Sequence, residues 1–123
     1  MTAAGLDPDA AFEAAAVLLA PSKKMSSKNY GAIVVVDGDR KVLGLVTERD
    51  IMRRTVAEER NPADTSVGEI MTKNPKFVVV DQLVGEVLRF LEEYRIDDLV
   101  VVDAEGSAVG MIDTQDLTRL QIV

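Results

Sequence analysis

The apolar positions of this chain follow the same order of patterns twice, once in each half. Two short runs of mostly β-branched residues, uninterrupted by polar side chains, are typical of strands that are buried on both faces. Each run is followed by turn-forming residues, DGDR in the first half and DAEG in the second, and then by another apolar segment. The predicted strands span residues 33–36 and 42–46 in the first half and residues 99–102 and 108–112 in the second.

Helical periodicity precedes and follows these strand pairs. Four apolar residues of DQLVGEVLRFL follow the i, i+3, i+4, i+7 spacing of one helix face, which predicts a helix over 81–91. The segment DAAFEAAAVLL repeats this pattern more weakly and predicts a helix within 9–19. Two more helices are predicted after the second strand of each half, over 48–59 and 114–120.

The segment between the halves contains its own helix signal. Ser66 and Glu69 have the spacing of a capping box, in which each side chain satisfies a backbone N–H of the other residue. A short helix over 67–71 is therefore predicted, and Pro75 ends it before a strand over 77–80.

An internal repeat is most visible in a heptad that begins with glycine and ends with aspartate. It occurs as GLVTERD at 44–50 and again as GMIDTQD at 110–116. The first predicted helices of the two halves lie further apart along the chain than the heptads do, so we expect about six extra residues in the first half, within PSKKMSSK (21–28). We interpret this segment as a solvated loop that could also cover a cleft, and its lysines are Lys23, Lys24 and Lys28.

The duplication predicts the architecture. Each half has an apolar face that it cannot cover alone, so we expect an α/β (α+β) fold of two pseudo-twofold-related repeats packed sheet to sheet, each helix–strand–strand–helix. The expected boundaries are 1–60 for the first repeat and 61–123 for the linker and second repeat. The lead-in to the first repeat is shorter than its counterpart, so we expect either that the chain starts abruptly or that it is a piece of a longer protein, and the short lead-in favours the second alternative.

Composition excludes several classes of function. The chain has 123 residues without cysteine or histidine, so thiolate chemistry, the commonest general base and the commonest metal ligand are all missing. An enzyme is therefore the weakest hypothesis, and we expect no catalytic residue and no metal. No apolar run is long enough to cross a membrane and no signal peptide is recognisable, so we expect a cytoplasmic protein.

The net charge of −7 is distributed unevenly. Residues 1–61 contain nine basic and nine acidic side chains, whereas residues 62–123 contain five basic and twelve acidic ones. An acidic chain lacks the basic surface that nucleic-acid binding requires, so we expect no nucleic-acid partner. An anionic small molecule would be favoured in the first half.

The first heptad has a structural and a functional interpretation. Thr47 and Asp50 have capping-box spacing, so both could serve only to begin a helix. Alternatively, Gly44 admits a close neighbour, Thr47 places a hydroxyl beside the N–H groups of a helix start, and Asp50 accepts hydrogen bonds from a ribose diol. The two functions compete, because a carboxylate that caps the helix is less available to a ligand.

Taken together, the doubled strand–strand–helix unit, the IMTKNP lead-in and the G-h-h-T-x-x-D heptad resemble a tandem pair of CBS (cystathionine β-synthase) domains, a Bateman module. The resemblance covers the chain from about Asp7 to Leu120. It implies a regulatory sensor that binds AMP, ADP, ATP or S-adenosylmethionine in a cleft between repeats and that associates as a homodimer. An effector, either a linked domain or a partner, would receive the signal.

The resemblance also assigns site residues. Thr47 would contact phosphate and Asp50 the ribose, Arg49, Arg53 and Arg54 would supply phosphate charge, and the base pocket would be lined by Gly31, Ala32, Ile33 and Val46. In the second repeat only Asp116 matches fully, because Asp113 places a like charge where phosphate would lie.

Two alternatives to the sensor remain open. The pair could be a non-binding scaffold for dimerisation or interaction, with both heptads serving as helix caps. Residues 96–123 are also similar to the end of sugar-phosphate isomerases that carry a CBS pair, so the chain could be the accessory part of such an enzyme.

Overall fold

The computed structural model describes residues 8–79 and 98–113, which belong to two compact units that divide between Pro75 and Lys76. The described part of the first unit contains four strands and several short helices. In chain order these are a 3-10 turn Pro8–Ala10, β1 Ala11–Glu13, α1 Leu19–Lys28, β2 Ala32–Val36, β3 Val42–Thr47, α2 Glu48–Ile51, a π-helical segment Met52–Val56, α3 Val67–Ile70 and β4 Thr72–Lys73.

The first unit is built on a four-stranded sheet in the order β1-β2-β3-β4. Strand β1 runs parallel to β2, and the other two pairings are antiparallel. All five residues of β2 are buried, as its continuous apolar run predicts for a strand covered on both faces.

The second unit repeats the pairing of the first three strands. Strands β5 (Phe77–Val79), β6 (Asp98–Val102) and β7 (Ala108–Asp113) form a sheet in that order, with β5 parallel and β7 antiparallel to β6. The β1–β2 and β2–β3 registers of the first unit recur at the corresponding positions of the second, including the register shift after the fourth residue of the middle strand. The mixed α/β fold and the predicted repeat are confirmed.

One helix prediction for the first half is wrong. Residues Ala11–Glu13, within the predicted helix 9–19, form β1, and α1 begins only at Leu19. The alanine-rich sequence favours a helix, but residues 11–13 pair with β2 as an edge strand of the sheet. Tertiary pairing therefore overrides the local helix propensity. Pro21 is tolerated in α1 because it lies in the first turn, where an N–H has no intrahelical acceptor.

This shift also corrects the alignment of the two halves. Because Ala11 pairs with Val34 and Phe77 pairs with Val100, the first strands of the two units have the same separation along the chain as the heptads. The inferred insertion does not exist, and PSKKMSSK is part of α1 instead of a loop. Lys28 and Lys24 are exposed on α1, with Nζ atoms 2.9 Å and 3.6 Å from the Asp9 carboxylate.

The core of the first unit joins the sheet to its helices and to the segment that follows them. Buried residues from four elements and the turn before α1 form one cluster, and Val67 and Ile70 of α3 are completely inaccessible within it. The other members are Leu18, Met25, Ile33, Val35 and Val46. Residues 61–75, expected to precede the second repeat, thus pack in the first unit, while the predicted boundary at residue 60 stays a prediction.

The helix after β3 is less regular than its prediction. It spans Glu48–Ile51 as α-helix and Met52–Val56 as π-helix, and turn residues follow to Glu59. Glu59 has a positive φ of 56°, and the Arg60 N–H donates to the Thr55 carbonyl, a helix-ending bond. The helices predicted over 81–91 and 114–120 lie outside the described residues, which contain no helix long and apolar enough to cross a membrane.

Candidate ligand-binding site

The first heptad forms a complete helix cap at the end of β3. The Asp50 N–H donates to Thr47 Oγ1 at 3.1 Å, and the Thr47 N–H donates to Asp50 Oδ2 at 3.0 Å. Thr47 has extended backbone angles and Asp50 lies one turn into α2, which is the geometry of a capping box. The hydroxyl and the carboxylate that the sequence singles out are thus neighbours.

Asp50 has an additional partner that the sequence pattern did not predict. The Thr72 hydroxyl of β4 lies 3.0 Å from Asp50 Oδ1 and 3.2 Å from Asp50 Oδ2. Asp50 is only 8% exposed, whereas Thr72 is exposed. The signal that could have revealed Thr72 is its place in the IMTKNP lead-in, but nothing in its local pattern points to a residue 22 positions earlier.

The close approach of β4 explains why residue 44 is a glycine. A Cβ built at Gly44 would lie 2.5 Å from the Met71 sulfur and 2.8 Å from the Thr72 carbonyl oxygen. Gly44 is paired with Lys73 and Leu45 with Thr72, so β4 runs directly against the middle of β3. The close neighbour that the glycine admits is therefore the chain itself.

The four residues assigned to a base pocket divide into three environments. Ile33 and Val46 are paired across β2 and β3, are fully buried and belong to the core cluster. Ala32 is 1% exposed and is paired with Thr47, so it adjoins the cap. Gly31 is exposed, and its carbonyl accepts the Glu48 N–H at 3.1 Å.

Two of the amide groups at the start of α2 are therefore already used. The Glu48 N–H donates to Gly31 and the Asp50 N–H to Thr47. This arrangement joins the start of β2 to the start of α2 and limits how far the helix start can act as an anion site.

The three candidate phosphate-binding arginines also differ. Arg49 and Arg53 are exposed on α2 and the π-helical segment. One guanidinium nitrogen of Arg54 donates to the carbonyls of Ile70 and Met71, at 3.1 Å and 2.9 Å. Arg54 therefore holds the residues just before β4, which gives it a structural function.

Part of the second heptad is visible in the second unit. Gly110 is buried and paired with Val101, the counterpart of the Gly44–Val35 pair, and Asp113 ends β7. Asp116 lies outside the described residues. Within the ranges 8–79 and 98–113, no three acidic side chains come together in a way that could hold a metal ion.

The repeated sheets and the capped heptad define a class of protein, a module of two duplicated α/β units. A family model described as CBS domain matches residues 6–57 and 67–122. The chain therefore belongs to the CBS domain family, and as a CBS pair it is a regulatory module.

Two solved structures and a curated relative illustrate the family. A CBS-domain protein from Burkholderia ambifaria MC40-6 is 36% identical, with a TM-score of 0.80 over 91% of this chain and 81% of that one. The CBS pair of protein MJ0100, solved with 5′-methylthioadenosine and S-adenosyl-L-methionine, is 25% identical, with a TM-score of 0.79 over 90% of this chain and 89% of that one. A homoserine O-acetyltransferase from Methanococcus vannielii is 34% identical over 77% of this chain and 19% of its own length.

The matched region is a small part of such relatives. It spans about a fifth of the length of the first curated proteins that it matches, 19% in two of them.

Proposed function

We propose that this chain is a ligand-sensing module that binds an adenosyl molecule at the Thr47–Asp50 cap. The observation that carries the proposal is the meeting of a hydroxyl and a buried carboxylate at a helix start, within 3.1 Å of each other's backbone N–H. The related pair of MJ0100, solved with two adenosyl compounds, supports the ligand class.

The chemistry of adenosine fits these groups. A ribose offers two vicinal hydroxyls that can donate to the Asp50 carboxylate, and hydrogen bonds to a charged acceptor are about twice as strong as neutral ones. Exposed Arg49 and Arg53 lie on the helix that carries Asp50 and would favour AMP, ADP or ATP by attracting phosphate. S-adenosylmethionine would rely on the ribose and the base.

The same reasoning makes the two repeats unequal. Asp113 stands where the first repeat has Thr47, and its carboxylate would repel a phosphate group. We therefore assign phosphorylated ligands to the first repeat and a non-phosphorylated nucleoside, or none, to the second.

A ligand titration tests this proposal. AMP, ADP, ATP, S-adenosylmethionine and 5′-methylthioadenosine are added separately while the melting temperature is followed, with ribose 5-phosphate as a control that lacks the base. A binding ligand at one hundred times its Kd stabilises the fold by about 2.7 kcal/mol and raises the melting temperature. No response to any adenosyl compound at millimolar concentration would overturn the proposal.

A second candidate, a scaffold that binds no nucleotide, is favoured by the completeness of the cap, because Thr47 and Asp50 already satisfy each other. Met52 and Val56, which are 55% and 67% exposed, offer apolar surface for the homodimer that either function would use.

Light scattering measures the mass in solution, and a scaffold would be dimeric but unresponsive in the titration above. The linked domain or partner that receives the signal is part of the proposal in both cases.

A further inference from the structure

The Asp50 carboxylate accepts a hydrogen bond from the Thr72 hydroxyl, and in the proposed function it also accepts hydrogen bonds from a ribose. We infer that Thr72 competes with the ligand for Asp50, so that ligand binding releases the start of β4. The inference rests on the proposed function, because it requires that a ribose diol donates to Asp50.

The competition follows from the geometry of the carboxylate. Both Asp50 oxygens lie within 3.2 Å of the single Thr72 hydroxyl, and Oδ2 also accepts the Thr47 N–H. Asp50 is only 8% exposed, whereas Thr72, whose hydroxyl contacts both carboxylate oxygens, is exposed, so we infer that a ligand approaches the carboxylate past Thr72. A diol that donates two hydrogen bonds on that side would compete with the Thr72 hydroxyl for the same two oxygens.

Thr72 is the partner that can leave. Its side chain is exposed, so its hydroxyl exchanges Asp50 for water at a modest cost. The Thr47 N–H cannot do so without uncapping α2, because it belongs to the helix start.

The release is confined to a defined segment. Arg54 donates to the carbonyls of Ile70 and Met71 independently of Asp50, so the chain before Thr72 stays attached to the π-helical segment. Strand β4 is held to β3 by only two residue pairs, Gly44–Lys73 and Leu45–Thr72. Residues 74–76 connect β4 to β5, the first strand of the second unit. Ligand binding in the first repeat would therefore release the residues that lead into the second unit.

By linkage, a change that weakens the Thr72–Asp50 bond from the Thr72 side, and leaves Asp50 itself intact, strengthens the binding of a ligand that displaces Thr72. Thr72→Val removes the hydroxyl with little change in shape, Thr72→Ser retains it, and Thr65→Val is the matched control. Thr65 is 2% exposed and its hydroxyl donates to the Asn61 carbonyl at 2.8 Å. Thr65→Val therefore removes a hydrogen bond within residues 61–75, the segment that contains Thr72, without removing a partner of Asp50.

The affinities of these variants for S-adenosylmethionine and for AMP are measured by calorimetry. We expect Thr72→Val to bind about three- to tenfold more tightly than the wild type, since a net hydrogen bond no longer has to be broken. Thr72→Ser and Thr65→Val should stay within about twofold of the wild type.

Each outcome decides between the two proposals. Unchanged or weaker affinity of Thr72→Val, with clear binding by the wild type, overturns the competition and leaves the proposed function intact. Absence of binding by every variant overturns the proposed function together with the competition. Binding by Thr72→Val but not by the wild type supports both.

Amide hydrogen exchange provides a second readout. Saturating S-adenosylmethionine should accelerate exchange at Lys73 in the wild type, because the anchor of β4 is released. In Thr72→Val, exchange there should be fast with and without the ligand. Slower exchange at Lys73 on ligand binding to the wild type would contradict the inference.

Discussion

At the scale of single residues, Gly44 and Asp50 both contact β4 or the residue just before it. Gly44 leaves room for the Met71 side chain and the Thr72 carbonyl, and Asp50 accepts the Thr72 hydroxyl. The cap partner Thr47 could be found from sequence because capping is local and has a fixed spacing. Thr72 could not, because a contact between residues 22 positions apart depends on how the chain returns to the sheet.

Gly44→Ala tests the packing of β4 on β3. The added methyl group would collide with a backbone oxygen and with the Met71 sulfur, so we expect a loss of about 1–3 kcal/mol in the free energy of unfolding. Gly31→Ala is the matched control, because a Cβ there has no atom within 4 Å. Urea unfolding measures both variants, and equal stabilities would contradict the description of β4.

At the scale of elements, the paired strands β2–β3 and β6–β7 were predictable, whereas β1 and the start of the first helix were not. The β-branched runs and the DGDR and DAEG turns carry a strong local signal, and Asp37 and Asp103 each accept two backbone N–H groups in their turns. Residues 11–13 carry the opposite signal, because alanine favours a helix and their strand exists only through pairing with β2. The start of α1 therefore could not be read from periodicity.

The short helix α3 gives a prediction about pH. Ser66 donates its N–H and its hydroxyl to the Glu69 carboxylate, which also pairs with Arg60, and these contacts lower the pKa of Glu69 below 4.5. A lowered pKa means that the contribution to stability is present above about pH 4.5 and is lost as the pH falls through the folded-state value. Thermal melts of Glu69→Gln should therefore lie below those of the wild type at pH 7, and the difference should shrink as the pH falls through the lowered pKa of Glu69.

The control for this prediction is Glu58→Gln, which removes one exposed carboxylate from the turn after the π-helical segment. Its melting curve should follow the wild type across the same pH range. If the Glu69→Gln and wild-type curves remain parallel down to pH 3, the capping box does not stabilise α3 as described.

At the scale of the whole molecule, duplication determines the architecture and one substitution distinguishes the halves. The three-strand pairing recurs in both units with the same register, so the fold class followed from the repeat in the sequence. The ligand site is less predictable, since the same Thr47 and Asp50 spacing serves both a cap and a ribose. Only a binding measurement separates these functions.

The central claim is that the first heptad, and not the second, binds a phosphorylated adenosyl ligand. Calorimetric titration of AMP into the wild type, Asp50→Asn and Asp116→Asn tests it most directly, because each variant removes one carboxylate and keeps the side-chain shape. We predict that Asp50→Asn weakens binding on the order of tenfold or more, through loss of a charged acceptor, and that Asp116→Asn binds as the wild type does. Equal binding by Asp50→Asn and the wild type, or a larger loss in Asp116→Asn, would contradict the assignment.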